Sequence, residues 1–393
     1  METFTEANAH GAALVGLPGM TPVHLAKLLG GMTPTEAWEA VRSGTHPADP
    51  RHKFLRSARE TDVDAVAHAY ARAGVSTLLP GTDGYPSALE GDPGAPAVLF
   101  ALGDPRAGER RPRVAIVGTR SPTPYGLQVA SEMASDLAGK GVVVISGLAT
   151  GIDGAAHAGV IRRTDSSAAP PVGVAGTGLD VPYPTQNEEL WNQVAARGVV
   201  FSESALGTQA LPRVFPARNR IIAALSDVVV VVECHGKGGS MYTVEAAARR
   251  SIQVCAVPGS VRSRASDGTN GLLVDGCAPV RDATDVMVAL DLACAGTGRF
   301  EGVEHSVAAD SPALGERPGR SGSSLHARGR SPGSTSILSA SQRAVLDAVD
   351  DTPTTFETIL IRTDLSVAAA AQACDELDEL GLLHVGAGWW SKA

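Results

Sequence analysis

Between residues 113 and 257 the chain alternates short β-branched runs with amphipathic stretches, and few architectures accept that pattern. The runs are Val114 to Val117, Val142 to Ile145, Val172 to Ala175, Val199 to Ser202, Val228 to Val232 and Val254 to Val257. None has a polar alternate face, so each reads as a strand buried on both sides. The intervening stretches Gly126 to Gly139, Gly151 to Ile161, Asn187 to Ala196 and Tyr242 to Arg249 are helical in period. Strand and helix in regular succession predict an α/β fold, a Rossmann-like, doubly wound and mostly parallel sheet. Ligands of such sheets sit outside the carboxyl ends of the strands, so the loops there are where function is sought.

The flanks read differently. Over residues 1–85, Thr21-Pro22 opens one short helix over Val23, Leu25, Leu28 and Leu29, and Thr33-Pro34 opens another over Ala37, Trp38 and Val41. This predicts a small helical domain, and its Leu17-Pro18-Gly19-Met20 turn looks like a helix-hairpin-helix or SAM-like element or a plain helical turn. The sheet domain is expected over 86–295. Residues 296–335, rich in Pro, Gly, Ser and Arg, are too poor in apolar side chains to fold and predict a flexible linker. In 336–393, three helical periods (Ser341 to Val349, Phe356 to Arg362, Ser366 to Leu380) precede a strand pair within Leu382 to Trp390, an arrangement like a winged helix.

Charge and cysteine usage narrow the function classes. A net charge of -9 argues against a polyanion partner only if it is evenly spread. It is not: residues 110–295 hold 17 Lys or Arg against 16 Asp or Glu, and the remainder holds 16 against 26. A basic groove in the middle is therefore permitted. The five cysteines, Cys234, Cys255, Cys277, Cys294 and Cys374, stand singly, without zinc-site spacing and in odd number, so they read as reduced thiols. No leader and no spanning segment is evident, which predicts a cytoplasmic protein without a membrane.

Four loops at strand ends carry the candidate site. After the first strand, Gly118-Thr119-Arg120 and Tyr125-Gly126 lead into a helix whose first amides would face an anion, with Arg120 as a forked donor. A tight turn with a solvated arginine fits the same residues, and the third glycine of a dinucleotide fingerprint is missing. After the second strand, Ser146-Gly147 through Gly151 and Asp153 form another glycine loop, in which Asp153 is either a cap or a ligand contact and His157 a packed or supporting histidine. Further on, Arg218-Asn219-Arg220 sits on one turn and presents donors only if that turn is exposed, the alternative being a solvated charged turn. His235-Gly236-Lys237-Gly238-Gly239-Ser240 then follows the fifth strand. Four donor-rich loops on one rim point to an extended polyanion.

In this order these segments resemble the DNA-processing protein A family, also called DprA or Smf, over about residues 112–292. The resemblance also rests on Gly178-Leu179-Asp180 with Tyr183-Pro184, on Phe215 to Ser226, on Thr243 and on Val257-Pro258-Gly259-Ser260. It implies a homodimer that binds single-stranded DNA without sequence preference, interacts with the RecA recombinase and helps load it during natural transformation. In that light Arg120, Arg218, Arg220 and Lys237 are expected to contact phosphates while glycine-loop amides add neutral donors; no enzymatic step and no cofactor are expected. The chain departs from the family at Thr150, where many relatives carry arginine, at Thr185, where some carry lysine, and in a shorter basic stretch before Val214-Phe215.

Two other readings stand beside this one. Gly238-Gly239-Ser240 with Thr243 and Glu245 faintly resembles nucleotide-processing phosphoribohydrolases, in which Glu245 would assist glycosidic cleavage. A scaffold that has lost DNA binding is the third. For the tail, three Lys or Arg against nine Asp or Glu in 336–393, with Asp375, Glu376, Asp378 and Glu379 on the third helix, oppose duplex binding and point to protein contacts or self-association.

Overall fold

Side-chain caps fix where the first helices begin. In the computed structural model, which describes residues 5–211, 214–236, 238–295, 338–349, 354–363, 365, 367–379, 382–386 and 389–392, α1 (Glu6–Gly16) starts at Thr5 and α2 (Pro22–Leu28) at Thr21, each hydroxyl accepting a backbone N–H. Thr33 and Glu36 cap α3 (Pro34–Ser43) reciprocally, and Asp62 caps α5 (Val63–Arg72) after the short α4 (Leu55–Glu60). Thr21-Pro22 and Thr33-Pro34 thus open helices as their chemistry predicts.

A strand without a sequence forecast follows these helices. β1 (Val75–Leu78) pairs antiparallel with β2 (Leu99–Gly103), which in turn pairs antiparallel with β6 (Val199–Ser202). The remaining strands run parallel: β3 (Arg113–Val117), β4 (Val143–Ser146), β5 (Val172–Ala175), β7 (Val228–Val231), β8 (Gln253–Ala256) and β9 (Ala278–Pro279). The nine-stranded order is β1-β2-β6-β5-β4-β3-β7-β8-β9, a Rossmann-like sheet extended by an antiparallel edge. Every residue of β3 to β7 is buried, as their unbroken apolar runs require.

Helices cover both faces. α6 (Pro124–Gly139), α7 (Ile152–Ile161) and α12 (Ala283–Ala295) bury Met133, Leu137, Val160 and Val286 against Val114, Ile116 and Val230. Opposite them α9 (Val214–Ala224), α10 (Met241–Ala248) and α11 (Asp267–Val274) place Ile222, Ala247 and Leu272 against Val117, Val229 and Ala256. α8 (Glu188–Arg197) joins the N-terminal helices, because Trp191 and Val194 share one core with Leu14, Trp38, Tyr70 and Val200. The expected division after residue 85 falls between β1 and β2, which are neighbours in one sheet.

The chain divides into two units, Met1–Val303 and Glu304–Ala393. In the second, α13 (Ala340–Ala348), α14 (Phe356–Thr363) and α15 (Val367–Glu379) enclose Val345, Ile359, Cys374 and Leu377 together with Leu383 and Trp390. Its three-stranded antiparallel sheet has the order β10-β12-β11, from β10 (Thr354–Thr355), β11 (Leu383–Gly386) and β12 (Trp389–Lys392). On its third helix, Glu376 accepts a hydrogen bond from Gln342. The linker expected over 296–335 lies outside the described residues, and among the described residues no helix is long and apolar enough to cross a membrane.

Candidate nucleic-acid interface

From β3 the chain first builds the sheet one way, through β4, β5 and β6, and then returns to place β7, β8 and β9 on the other side. The switch point of this sheet is the crevice between the carboxyl ends of β3 and β7. Since β4, β3, β7 and β8 are parallel, their exit loops share one rim.

The loop after β3 is clamped by Glu233, two residues beyond the end of β7. Thr119 donates its N–H to the Glu233 carbonyl (2.7 Å), and Thr123 donates both its N–H (2.8 Å) and its hydroxyl (2.6 Å) to the two carboxylate oxygens. Glu233 is 1% exposed. The α6 N-terminus was expected to face a ligand anion, and it faces the protein's own carboxylate instead. Gly126 belongs to that packing, since a Cβ there would lie 2.3 Å from Glu233 Oε2.

The loop after β4 is held as firmly. Gly151, at φ 85° and ψ -131°, takes a backbone conformation closed to other residues and lies directly against Thr119 and Arg120. Asn187 donates to the carbonyls of Leu148 (3.0 Å) and Ala149 (3.1 Å), a tether that sequence reasoning did not single out. The Ser146 hydroxyl, buried, donates to the Ile116 carbonyl (2.6 Å), so this candidate ligand group is a strand-end fastener.

Arg218 requires the main correction. It lies on the inward face of α9, 4% exposed, and donates from Nη1 to the Val174 carbonyl at 2.7 Å. Its guanidinium lies against Gly147, where a Cβ would meet Nη1 at 1.8 Å and Asp153 Oδ2 at 2.5 Å. Burial lowers its pKa to about 10 although Asp153 pulls upward, while burial pushes the Asp153 carboxyl up against the pull of Arg218 and Arg120. Desolvation thus outweighs the attraction between them. Asp153 is 8% exposed, which makes it the internal counter-charge of Arg218 and no outward contact.

Arg220 is corrected on different grounds. Its Nη1 and Nη2 donate to Glu203 Oε1 (2.8 Å) and Oε2 (2.6 Å), a forked pair that already satisfies the guanidinium. Asn219 donates to the Gly239 carbonyl (3.1 Å), and the buried Ser240 hydroxyl donates to Cys234 Sγ (2.9 Å). The Gly238 N–H returns to the His235 carbonyl, closing a turn, and Lys237 lies outside the described residues. One turn of α9 therefore spends its three polar side chains on the protein.

Arg120 is the predicted arginine that stays outside. It is exposed, and its guanidinium carbon lies 4.8 Å from the centroid of the Phe215 ring. Phe215 in turn meets Tyr183 at 5.3 Å between centroids with a 37° interplanar angle. Tyr183 and Tyr125 are 39% and 49% exposed, and the Tyr125 hydroxyl donates to the Pro258 carbonyl (3.0 Å), tying the start of α6 to the loop after β8. That loop adds Arg262 and Arg264, both exposed, and His235 from the loop after β7 bonds the Arg264 carbonyl (2.9 Å). Sequence reasoning did not select Phe215, Tyr183, Arg262 or Arg264 as contacts; aromatics beside an arginine-bearing rim were the available signal.

Glu245, the acid of the enzyme reading, stands on the exposed face of α10 and pairs with Arg249 one turn on. The family described as DNA recombination-mediator protein A matches residues 76–291, more than half of the chain. The chain belongs to this family. Among its relatives, Protein Smf of Synechocystis is 32% identical over 313 residues, 78% of this chain and 77% of that protein. The Bacillus subtilis DNA processing protein DprA is 36% identical over 221 residues, 56% and 73% of the two chains. The solved DNA processing protein A of Streptococcus pneumoniae superposes with TM-score 0.59 at 29% identity, covering 73% of this chain and 98% of that one. The family match spans every rim loop described above, from Gly118 to Arg264.

Proposed function

We propose that this recombination-mediator family member binds single-stranded DNA along the carboxyl rim of its sheet and presents it to a RecA-type recombinase, as a homodimer in the cytoplasm and without chemical conversion of the strand. The observation that carries the reading is the Arg120–Phe215–Tyr183 stack, a cation over one aromatic ring beside another. Unpaired bases offer flat faces to such rings and phosphates offer charge to the guanidinium, whereas a duplex hides its base faces. Arg262, Arg264 and the exposed Gly239 turn extend the same rim. The acidic tail, read as a winged-helix-like domain, is assigned to protein contacts.

Titration of labelled single- and double-stranded oligonucleotides across a salt series tests the proposal. Arg120→Ala is expected to weaken single-strand binding and to flatten its salt dependence by about one ion. Phe215→Ala is expected to cost about 1–3 kcal/mol with little change in that slope, because it removes stacking and no charge. Arg220→Ala should leave affinity near that of the wild type, its guanidinium being held by Glu203. Equal affinity in wild type, Arg120→Ala and Phe215→Ala would remove the rim from consideration and favour the scaffold reading.

A further inference from the structure

The N-terminal helices leave a groove that their shared core does not fill. It runs between α1, α3 and α5, has a volume of about 640 Å³ and counts Ala9, Trp38, Val63 and Ala67 among its walls. Trp38 is 1% exposed and belongs to the same core as Leu14 and Tyr70, so it is fixed in place. Its indole Nε1–H nevertheless has no hydrogen-bond partner among the described residues and is not sealed off as the Trp191 Nε1 is, so what Trp38 shows to the groove is a donor. His10, 7% exposed, lines the groove too and stacks on that indole at 5.9 Å between centroids. Thr35 holds its Nδ1 at 3.2 Å, which leaves Nε2 as a second polar atom without a partner among the described residues. Four exposed carboxylates, Glu6, Glu39, Asp62 and Asp64, stand around this floor against the single Arg42, and none of the five is in an ion pair among the described residues.

We infer that this groove is a docking site for a basic linear segment of a partner protein, with one apolar residue seated over Trp38 and lysines or arginines set against the four carboxylates. The two polar atoms of the floor call for a peptide. Its backbone carries a carbonyl for the Trp38 N–H and, one unit along, a donor and an acceptor for His10 Nε2, whereas an aliphatic ligand would cover both atoms unbonded. The charge of the rim decides the charge of the partner. Nucleic acid is repelled by a carboxylate rim, and a second copy of this chain meeting the groove isologously would bring the same acids face to face. The groove matches a short motif, since α1 rises roughly 8 Å from Thr5 to His10, the reach of about two or three extended residues. α1, α3 and α5 carry no residue of the sheet rim, so the inference stands apart from the DNA-binding reading.

Random peptides displayed on phage are selected against the full chain. The strongest sequence, made as a labelled peptide with blocked ends, is then titrated by fluorescence anisotropy and by the indole N–H signal of Trp38. Selected sequences are expected to place lysine or arginine around one large apolar residue, to bind more weakly as salt rises and to shift the Trp38 signal saturably. Glu39→Lys combined with Asp64→Lys, both surface changes, is expected to weaken that peptide roughly tenfold while the melting temperature stays near that of the wild type. If that double variant does not fold, Glu39→Gln with Asp64→Asn replaces it, with an expected loss of about threefold. Selection of acidic or uncharged sequences, or of none, would overturn the inference. A basic peptide that leaves the Trp38 signal unmoved, or that ignores the charge changes, would do the same. So would a saturable shift of that signal by a single-stranded oligonucleotide, which would make the groove a nucleic-acid contact.

Discussion

Arg218→Ala is expected to lower the melting temperature on the order of 10 °C, far more than any other arginine substitution on this rim. Arg218 is 4% exposed, and its guanidinium holds the Val174 carbonyl and is the main positive neighbour of buried Asp153. Deleting one member of a buried charged pair strands the other and typically costs about 3–5 kcal/mol. The cause is separable by a cycle: Asp153→Asn combined with Arg218→Ala should destabilise less than the two single losses added together, because each change removes the other's uncompensated charge. Thermal denaturation of the four proteins provides the numbers. An Arg218→Ala protein of unchanged melting temperature but weakened DNA binding would place that guanidinium on the rim after all.

Acidification is expected to weaken the fold through His157 before most carboxylates titrate. This histidine is fully buried, and burial, with a smaller push from Arg218 against an upward pull from the Ser146 backbone, brings its pKa down to about 4. The unfolded chain takes up a proton near pH 6.5 and the folded chain does not until about 4, so its stability contribution is complete above 6.5 and is lost as pH falls through that window. At 1.36 kcal/mol per unit the loss is on the order of 3 kcal/mol. Asp153 acts with the opposite sign, since its raised pKa makes the folded state the better proton acceptor. Comparison with His157→Leu isolates the histidine: urea-denaturation free energies at pH 7 and pH 4.5 should diverge for the wild type and lie closer together in the variant. Parallel pH profiles of the two proteins would show that His157 does not carry the effect.

Much of this architecture was legible residue by residue. The six Val-rich runs became β3 to β8 with ends within one residue, and Thr21-Pro22 and Thr33-Pro34 opened α2 and α3. β1 and β2 were missed because Val75-Ser76-Thr77-Leu78 is short and adjoins a helix, while Leu99-Phe100-Ala101-Leu102-Gly103 lacks β-branched residues. Their extended form rests on pairing with each other and with β6, about a hundred residues further on, and no local preference announces such a partner.

The site divides along the same line. The sequence determined by itself that glycine loops would gather at the carboxyl ends of a parallel sheet, because buried strand runs and helix starts are local properties. It also placed Arg120 on such a loop and Arg218 and Arg220 on one turn, which the structure makes part of α9, without saying which way each would point. That choice belonged to tertiary structure: Arg218 turned inward because Asp153 and the Val174 carbonyl awaited it under Gly147, Arg220 was taken by Glu203, and Arg120 remained outside over Phe215. A charged side chain goes where its burial cost is best offset, and the groups that offset it come from strands distant in the chain.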